Sequence, residues 1–332
     1  MNAEVSLVIP SHNSENGLNE LLKGMIHWSL LPTEVLVIDS SNSKPTISIP
    51  FQEFCNEKKI SFKLISKTNL FPGKARNIGI QKACFSHIAF LDISTIPPRD
   101  WFESTMKSLN YDNFDGVWGS TIYEAKSWFH KLIRSATFGN LPLQTLPGSI
   151  IHKEVFETAG LFIESTRAGE DADWMSRARL HKFNFTKSLT NLNYIGLSNI
   201  TFLALIKKWY RNYTYSAKLP YLNAHKDLYF YFFAFIAVIL AFNWNNLSYD
   251  DAIRGWNTES FAYIPNITKI SIIFFSFFYI FIRAILIPIK KGVPFLFLFL
   301  NIPMIVFLSI ILDILKYAAF INARFFKFNQ IK

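Results

Sequence analysis

The chain has 332 residues, half of them hydrophobic and 34 of them Phe, with a formal net charge of +10 and only two cysteines. That length accommodates one α/β domain with a full core plus additional segments. Cys55 and Cys84 carry neither a disulfide framework nor a metal-ligand spacing, so they read as free thiols in a reducing compartment. The Lys and Arg residues form no dense run of the kind a nucleic-acid arm carries, which removes nucleic acid as the expected partner.

Polar Met1 to Glu4 leads directly into an apolar run without a signal peptide, so the N-terminal domain is expected in the cytosol. Val5 to Pro10 is a short apolar run closed by proline, a strand signal. Leu18, Leu21, Leu22, Met25 and Ile26 then recur at helical spacing. Glu34 to Asp39 predicts a second buried strand ending on an acid, and Phe62 to Ile65 a third. Lys74 to Phe85 reads as a helix, His87 to Asp92 as a fourth strand again ending on an acid, and Arg99 to Leu109 as a helix. Strands alternating with helices imply a parallel sheet covered on both faces. Such sheets bind ligands outside the carboxyl ends of their strands, where Asp39 and Asp92 fall. An acid after a strand is as commonly a turn or cap residue. The pair beside the cationic helix start at Lys74 and Arg76 favours a polar ligand.

Val117 to Tyr123 reads as a strand and Trp128 to Phe138 as an amphipathic stretch. Gly148 to Ile151 leads into a helix near Lys153 to Ala159, and a further helix opens at Gly169-Glu170-Asp171 and runs to about His181. Acids in its first turn suit the helix dipole, which is a sufficient structural reason for them. The basic residues cluster loosely at Lys207, Lys208, Arg211, Lys218 and Lys226. Either anionic headgroups or ordinary positive-inside bias accounts for them. The last third is apolar: Leu228–Phe242 is short for a span, whereas Ile267–Ile289 and Gly292–Tyr317 reach the roughly 20 residues a bilayer requires. The expected organisation is a cytosolic domain over 1–200, a basic and aromatic juxtamembrane segment over 201–227, and a multi-pass membrane region over 228–332 with two to three hydrophobic helices. Two spans and three spans satisfy the positive-inside rule equally well.

Five segments in this order resemble family 2 glycosyltransferases of the GT-A fold. They are the strand running into Pro10-Ser11-His12-Asn13, the strand ending at Asp39, Gly73-Lys74-Ala75-Arg76-Asn77-Ile78-Gly79, Asp92-Ile93-Ser94, and Gly169-Glu170-Asp171-Ala172-Asp173-Trp174. The resemblance covers about residues 4 to 185. It implies an α/β fold with a GT-A, Rossmann-like nucleotide-sugar-binding domain followed by C-terminal transmembrane helices. It also implies an inverting transfer of a sugar from a nucleotide-sugar donor to a lipid-linked or glycan acceptor at the cytosolic membrane face.

By position, the resemblance assigns Pro10, Ser11, His12, Asp39 and Arg76 to the nucleoside, and Asp92 to the ribose or a metal. Asp171 is the implied general base, with Glu170 beside it. Lys74 adds, on charge grounds alone, a diphosphate contact, although a helix-surface role suits it equally. Lys207, Trp209 and Arg211 are candidates for membrane contact or an acceptor phosphate; a plain surface anchor is the alternative. The implied cofactor is a divalent cation, Mg2+ or Mn2+. Here the chain departs from the family's Asp-x-Asp pattern, because Ser94 stands where the second acid ligates, and a hydroxyl is a weaker ligand for a hard cation. Metal held by Asp92 and substrate oxygens, replacement of the metal by Lys or Arg, and loss of activity are all compatible with that departure. The last would leave a catalytically silent, sugar-nucleotide-binding scaffold subunit. Membrane lipids and an oligomeric partner complete the expectation.

Overall fold

A computed structural model of the chain describes residues 2–111, 114–197, 200–219 and 276–325. Nine strands form one sheet: β1 (Ala3–Ser11), β2 (Pro32–Asp39), β3 (Ser61–Ser66), β4 (His87–Phe90), β5 (Thr95–Ile96), β6 (Gly116–Tyr123), β7 (Leu143–His152), β8 (Phe185–Lys187) and β9 (Leu192–Tyr194). Their spatial order is β3-β2-β1-β4-β7-β6-β9-β5, with β8 paired to β6. Around them lie α1 (Glu15–Met25), α2 (Ile49–Lys58), α3 (Pro72–Lys82), α4 (Trp101–Tyr111), α5 (Trp128–Ala136), α6 (Lys153–Ala159), α7 (Glu170–Leu180) and α8 (Phe202–Ser216). Towards the C-terminus, a π-helical turn (Phe281–Leu286) precedes α9 (Ile287–Lys290) and α10 (Phe295–Phe325).

The parallel half is as expected: β3, β2, β1 and β4 run the same way, with Ser11 beside Asp39 at the carboxyl ends. Successive residues of β1, β2 and β4 serve opposite buried faces, which is why these read as near-continuous apolar runs, whereas the edge strand β3 carries exposed Lys63. Val5, Leu7 and Ile9 join a core with α1, α2 and α4, while Val8, Leu36 and Ile38 join a second core with α3, α6 and α7. The wholly parallel sheet is corrected. β7 is antiparallel to both β4 and β6, and it takes in Gly148–Ile151, expected only as a lead-in to a helix. Gly148, at φ +88°, and the irregular β6–β7 register beyond Val117 interrupt the alternation that would have exposed this strand to sequence reading.

A third apolar cluster joins the domain to the C-terminal helices. Leu132 and Ile133 of α5, Leu205 and Trp209 of α8, and Leu298, Ile305, Leu308 and Leu312 of α10 are buried against one another. Trp128 Nε1 donates to Asn301 Oδ1 at 3.0 Å, and Asn322 Nδ2 donates to the Tyr210 hydroxyl at 2.6 Å. Arg283, in the π-helical turn, holds Asp313 of α10 through two bonds of 2.9 Å, and Tyr279 donates to the same carboxylate at 2.7 Å. The turn before α10 latches onto the loop after α5. The Lys291 carbonyl accepts from Asn140 N at 2.8 Å and Leu141 N at 3.1 Å, and Lys291 Nζ donates to the Thr137 carbonyl. Gly139 lies against Lys291 and Gly292 against Leu141, both glycines at positive φ.

Among the described residues, one helix is long and apolar enough to cross a membrane, over Phe295–Ala323 with a mean hydropathy of 2.7. The multi-pass expectation is therefore not supported within them. The expected segment Leu228–Phe242 and the first part of Ile267–Ile289 lie outside the described residues.

Candidate active site

The Gly73-to-Gly79 stretch does four separate jobs in the first two turns of α3. Ala75 is buried against the sheet. Arg76 points to the carboxyl ends of the strands. Asn77 pins the loop before α7, donating to the Phe162 carbonyl and accepting from Phe162 N, both at 2.9 Å. Gly79 admits the Val8 side chain where a Cβ would collide with it. The helix therefore packs close to β1 and aims one guanidinium into the cleft.

Arg76 is buried and bridges two motifs that lie far apart in sequence. Its Nη1 donates to Glu170 Oε1 at 2.6 Å and its Nη2 to Asp92 Oδ1 at 2.8 Å. The Phe162 ring lies 5.8 Å from the guanidinium carbon. Burial alone would depress this guanidinium, but Asp92, Glu170 and Asp171 together outweigh it and raise its affinity for the proton. Burial also pushes the Glu170 carboxyl up to about 7, opposed by Arg76 and reinforced by Asp171. Glu170 Oε2 and Arg76 Nε are buried with no hydrogen-bond partner among the described residues. Asp171 itself is half-buried, and its Oδ1 accepts from Ala172 N at 2.8 Å. Gly169, at φ +87°, makes the turn that starts α7 with both acids at its N-terminus.

The nucleoside-side candidates form a second group. Asp39 is buried, but its carboxylate caps its own loop, accepting from Ser41 Oγ at 2.7 Å and Ser41 N at 3.2 Å. Ser41 Oγ also accepts from Asn13 N at 2.7 Å, so the loops after β1 and β2 are tied together. Pro10 is half-buried at the end of β1; Ser11 Oγ is buried without a hydrogen-bond partner; and exposed His12 reaches Ser40 through Nδ1, 3.0 Å from its Oγ. Lys74 does not stand free for a diphosphate: it is 3.4 Å from Glu164 in a half-exposed pair.

Asp92 is half-buried, and Thr95 N and Oγ1 both donate to its carbonyl, at 2.9 and 2.6 Å, closing a tight turn that contains Ser94. Asp92 and Ser94 offer one carboxylate and one hydroxyl to a hard cation, which takes six or more oxygen ligands. Among the described residues no group of three or more His, Cys, Asp or Glu comes together to hold a metal. The pair therefore fits a cation only if donor oxygens complete the shell.

Two tyrosines that sequence reading did not single out complete the cleft wall. Tyr123 ends β6, its ring 4.7 Å from Tyr194 of β9 and stacked on Phe138 at 3.7 Å. Burial first, then Tyr194, Asp171 and Asp92, raise its phenol well above the ordinary range. Nothing local marks these residues, since β9 is three residues long and reaches the site through pairing with β6 on one side and β5 on the other. The candidates on α8 divide. Lys207 and Arg211 are exposed, whereas Trp209 is buried in the third cluster and cannot reach a lipid surface or an acceptor phosphate.

Comparison with known proteins bears on this geometry. Residues 6–168 match the family described as Glycosyl transferase family 2. An uncharacterized glycosyltransferase from Rickettsia conorii is 28% identical over 208 residues, covering 59% of this chain and 34% of its own length. The glycosyltransferase AglE from Haloferax volcanii is 23% identical over 185 residues, 52% of this chain and 60% of that one. The chain thus spans about a third of the length of the first of these relatives. Among solved structures, a mannosyltransferase from Pyrobaculum calidifontis in complex with GDP-Man and Mn2+ aligns with a TM-score of 0.53 at 12% identity, covering 95% of this chain and 87% of that one. It shares the fold.

Proposed function

Residues 6–168 of this chain belong to the family 2 glycosyltransferases, and on that premise we propose that the protein transfers a sugar from a nucleotide-sugar donor to a lipid-linked acceptor, with inversion, at the cytosolic face of a membrane. The observation that carries the proposal is Arg76, one buried guanidinium that gathers Glu170 and Asp92 from opposite sides of the cleft with Asp171 beside them.

In this reading Asp171 takes the proton from the acceptor hydroxyl as the new glycosidic bond forms, and the nucleoside diphosphate departs with the bonding electrons of the broken bond. The half-buried carboxylate of Asp171 stays open to an entering acceptor, whereas Glu170 is spent on Arg76 and positions it. The loops joined through Asp39, Ser41 and Asn13, with Pro10, Ser11 and His12, receive the nucleoside. A divalent cation, Mg2+ or Mn2+, bound by Asp92 with Ser94 and donor oxygens, would supply neutralisation of the leaving diphosphate.

The test is transfer by the purified full chain across a panel of nucleotide-sugars, with and without Mn2+. We expect Asp171→Asn to lower transfer by at least a hundredfold while donor affinity, read calorimetrically, changes less than about threefold. Loss of donor binding in that variant would remove Asp171 from the role of base. Donor binding without turnover in the unmodified protein would instead favour a silent binding subunit.

A further inference from the structure

We propose that α10, the helix whose composition reads as a transmembrane span, lies in the plane of the membrane along the lipid-facing side of the catalytic domain. The argument begins with its two stripes. Leu298, Ile305, Leu308, Leu312 and Ala319, at spacings of three, four and seven, are buried against the domain. Leu296, Leu300, Phe307, Ile310, Ile314 and Ile321, on the opposite side, are exposed. A helix that is apolar all round belongs in a protein core or in lipid. Among the described residues, one half meets protein and the other half meets none.

The contacts with the domain fix the direction of the helix. Asn301, near its start, accepts from Trp128 of α5, and Asn322, near its end, donates to Tyr210 of α8. Between them Lys316 Nζ sits 5.6 Å from the Tyr213 ring. Asn301 and Asn322 are 21 residues apart, about 32 Å at 1.5 Å per residue, which is the thickness of a hydrocarbon core. A helix fastened to the domain at both ends of that length cannot cross a bilayer unless α5 and α8 cross with it. Those helices carry Lys131, Arg134, Lys207, Lys208 and Arg211, and such a load of charge is excluded from the bilayer centre.

The occupant of the exposed stripe is the outer few ångströms of one leaflet. The named stripe residues include no polar side chain, whereas an interface between protein copies carries a polar rim and is only a little more than half apolar. Lys290, exposed at the end of α9 just before this helix, supplies a cation for anionic headgroups at its start, while Lys316 is turned to the domain side, paired with Asp313 at 3.3 Å. A helix in this position sinks its apolar face roughly 5–10 Å into the headgroup boundary.

The experiment uses the full chain in vesicles of phosphatidylcholine and phosphatidylglycerol at about 7:3. Leu300→Cys, Phe307→Cys, Ile314→Cys and Ile321→Cys are made one at a time in a Cys84→Ser background, spin-labelled, and their depth read from relaxation by oxygen and by a water-soluble nickel complex. Cys55 is buried and stays unlabelled. All four positions are exposed, so labelling leaves the packing intact, and circular dichroism of each variant checks this. The expected result is four depths equal to within about one helical turn, 5.4 Å, all shallow. A depth that passes through the bilayer centre near Phe307, with Leu300 and Ile321 towards opposite surfaces, overturns the proposal. So does a stripe shielded from lipid or broadened by dipolar coupling between copies. No donor or acceptor is present, so the depths are obtained whether or not the protein is a transferase.

Discussion

Removing the Arg76 guanidinium leaves two carboxylates without their counter-ion, one of them almost wholly buried. We expect Arg76→Met to lose about 3–5 kcal/mol of stability, the usual cost of stranding a buried charge, as measured by urea denaturation of the detergent-solubilised protein. Glu170 offers a sharper reading. Its carboxyl is raised from 4.5 to about 7, so the folded state holds this proton more tightly than the unfolded state does. The resulting stability is fully present below about pH 4.5 and is lost as pH rises through about 7. Glu170→Gln keeps an acceptor for Arg76 and removes the titration. The melting temperature of the variant should therefore gain on the parent as pH goes from about 5 to 8; parallel profiles would exclude Glu170 as the source. Sequence reading placed Asp92 at a strand end and Arg76 at a helix start, and brought in Glu170 and Asp171 through the family resemblance. It could not pair Arg76 with Glu170, because 94 residues separate them and only the fold closes that distance. It left Asp39 open to two roles, and the Ser41 contacts show the turn role that the bare acid concealed.

Elements with strong internal signals lie within a few residues of where the sequence puts them. The strands β1, β2 and β4 carry dense apolar runs, the edge strand β3 a shorter one, and α6 spans Lys153–Ala159 as expected. Strands held mainly by their neighbours are illegible: β5 has two residues, β8 and β9 three each, and none could be a strand without a partner edge. The helix α2 was equally hidden, since its buried residues are only Phe51 and Cys55. The contact of α3 with β1 can be probed directly. A methyl at Gly79 would collide with the Val8 side chain, so Gly79→Ala should cost about 1–3 kcal/mol despite the better helix propensity of alanine. A neutral or stabilising result would mean that β1 yields more easily than the complete burial of Val8 suggests.

At the scale of the molecule, the apolar excess of the last third has two uses. Part of it closes the third cluster with α5 and α8, and part faces outward. Hydropathy alone cannot divide these uses, because both stripes are made of the same side chains; the division follows from which of them meet Leu132, Leu205 and Trp209. A chain cut after Ser216 would bare those residues. We expect it to elute as aggregate on size exclusion where the full chain in detergent runs as a discrete species. The interlock between Gly139 and Gly292 extends this to engineering. Each glycine accommodates the loop that carries the other, so a chimera that borrows its C-terminal third from a relative inherits only half of a fitted joint. Such a hybrid has to import the 137–141 loop along with the graft, or its two parts will not seat.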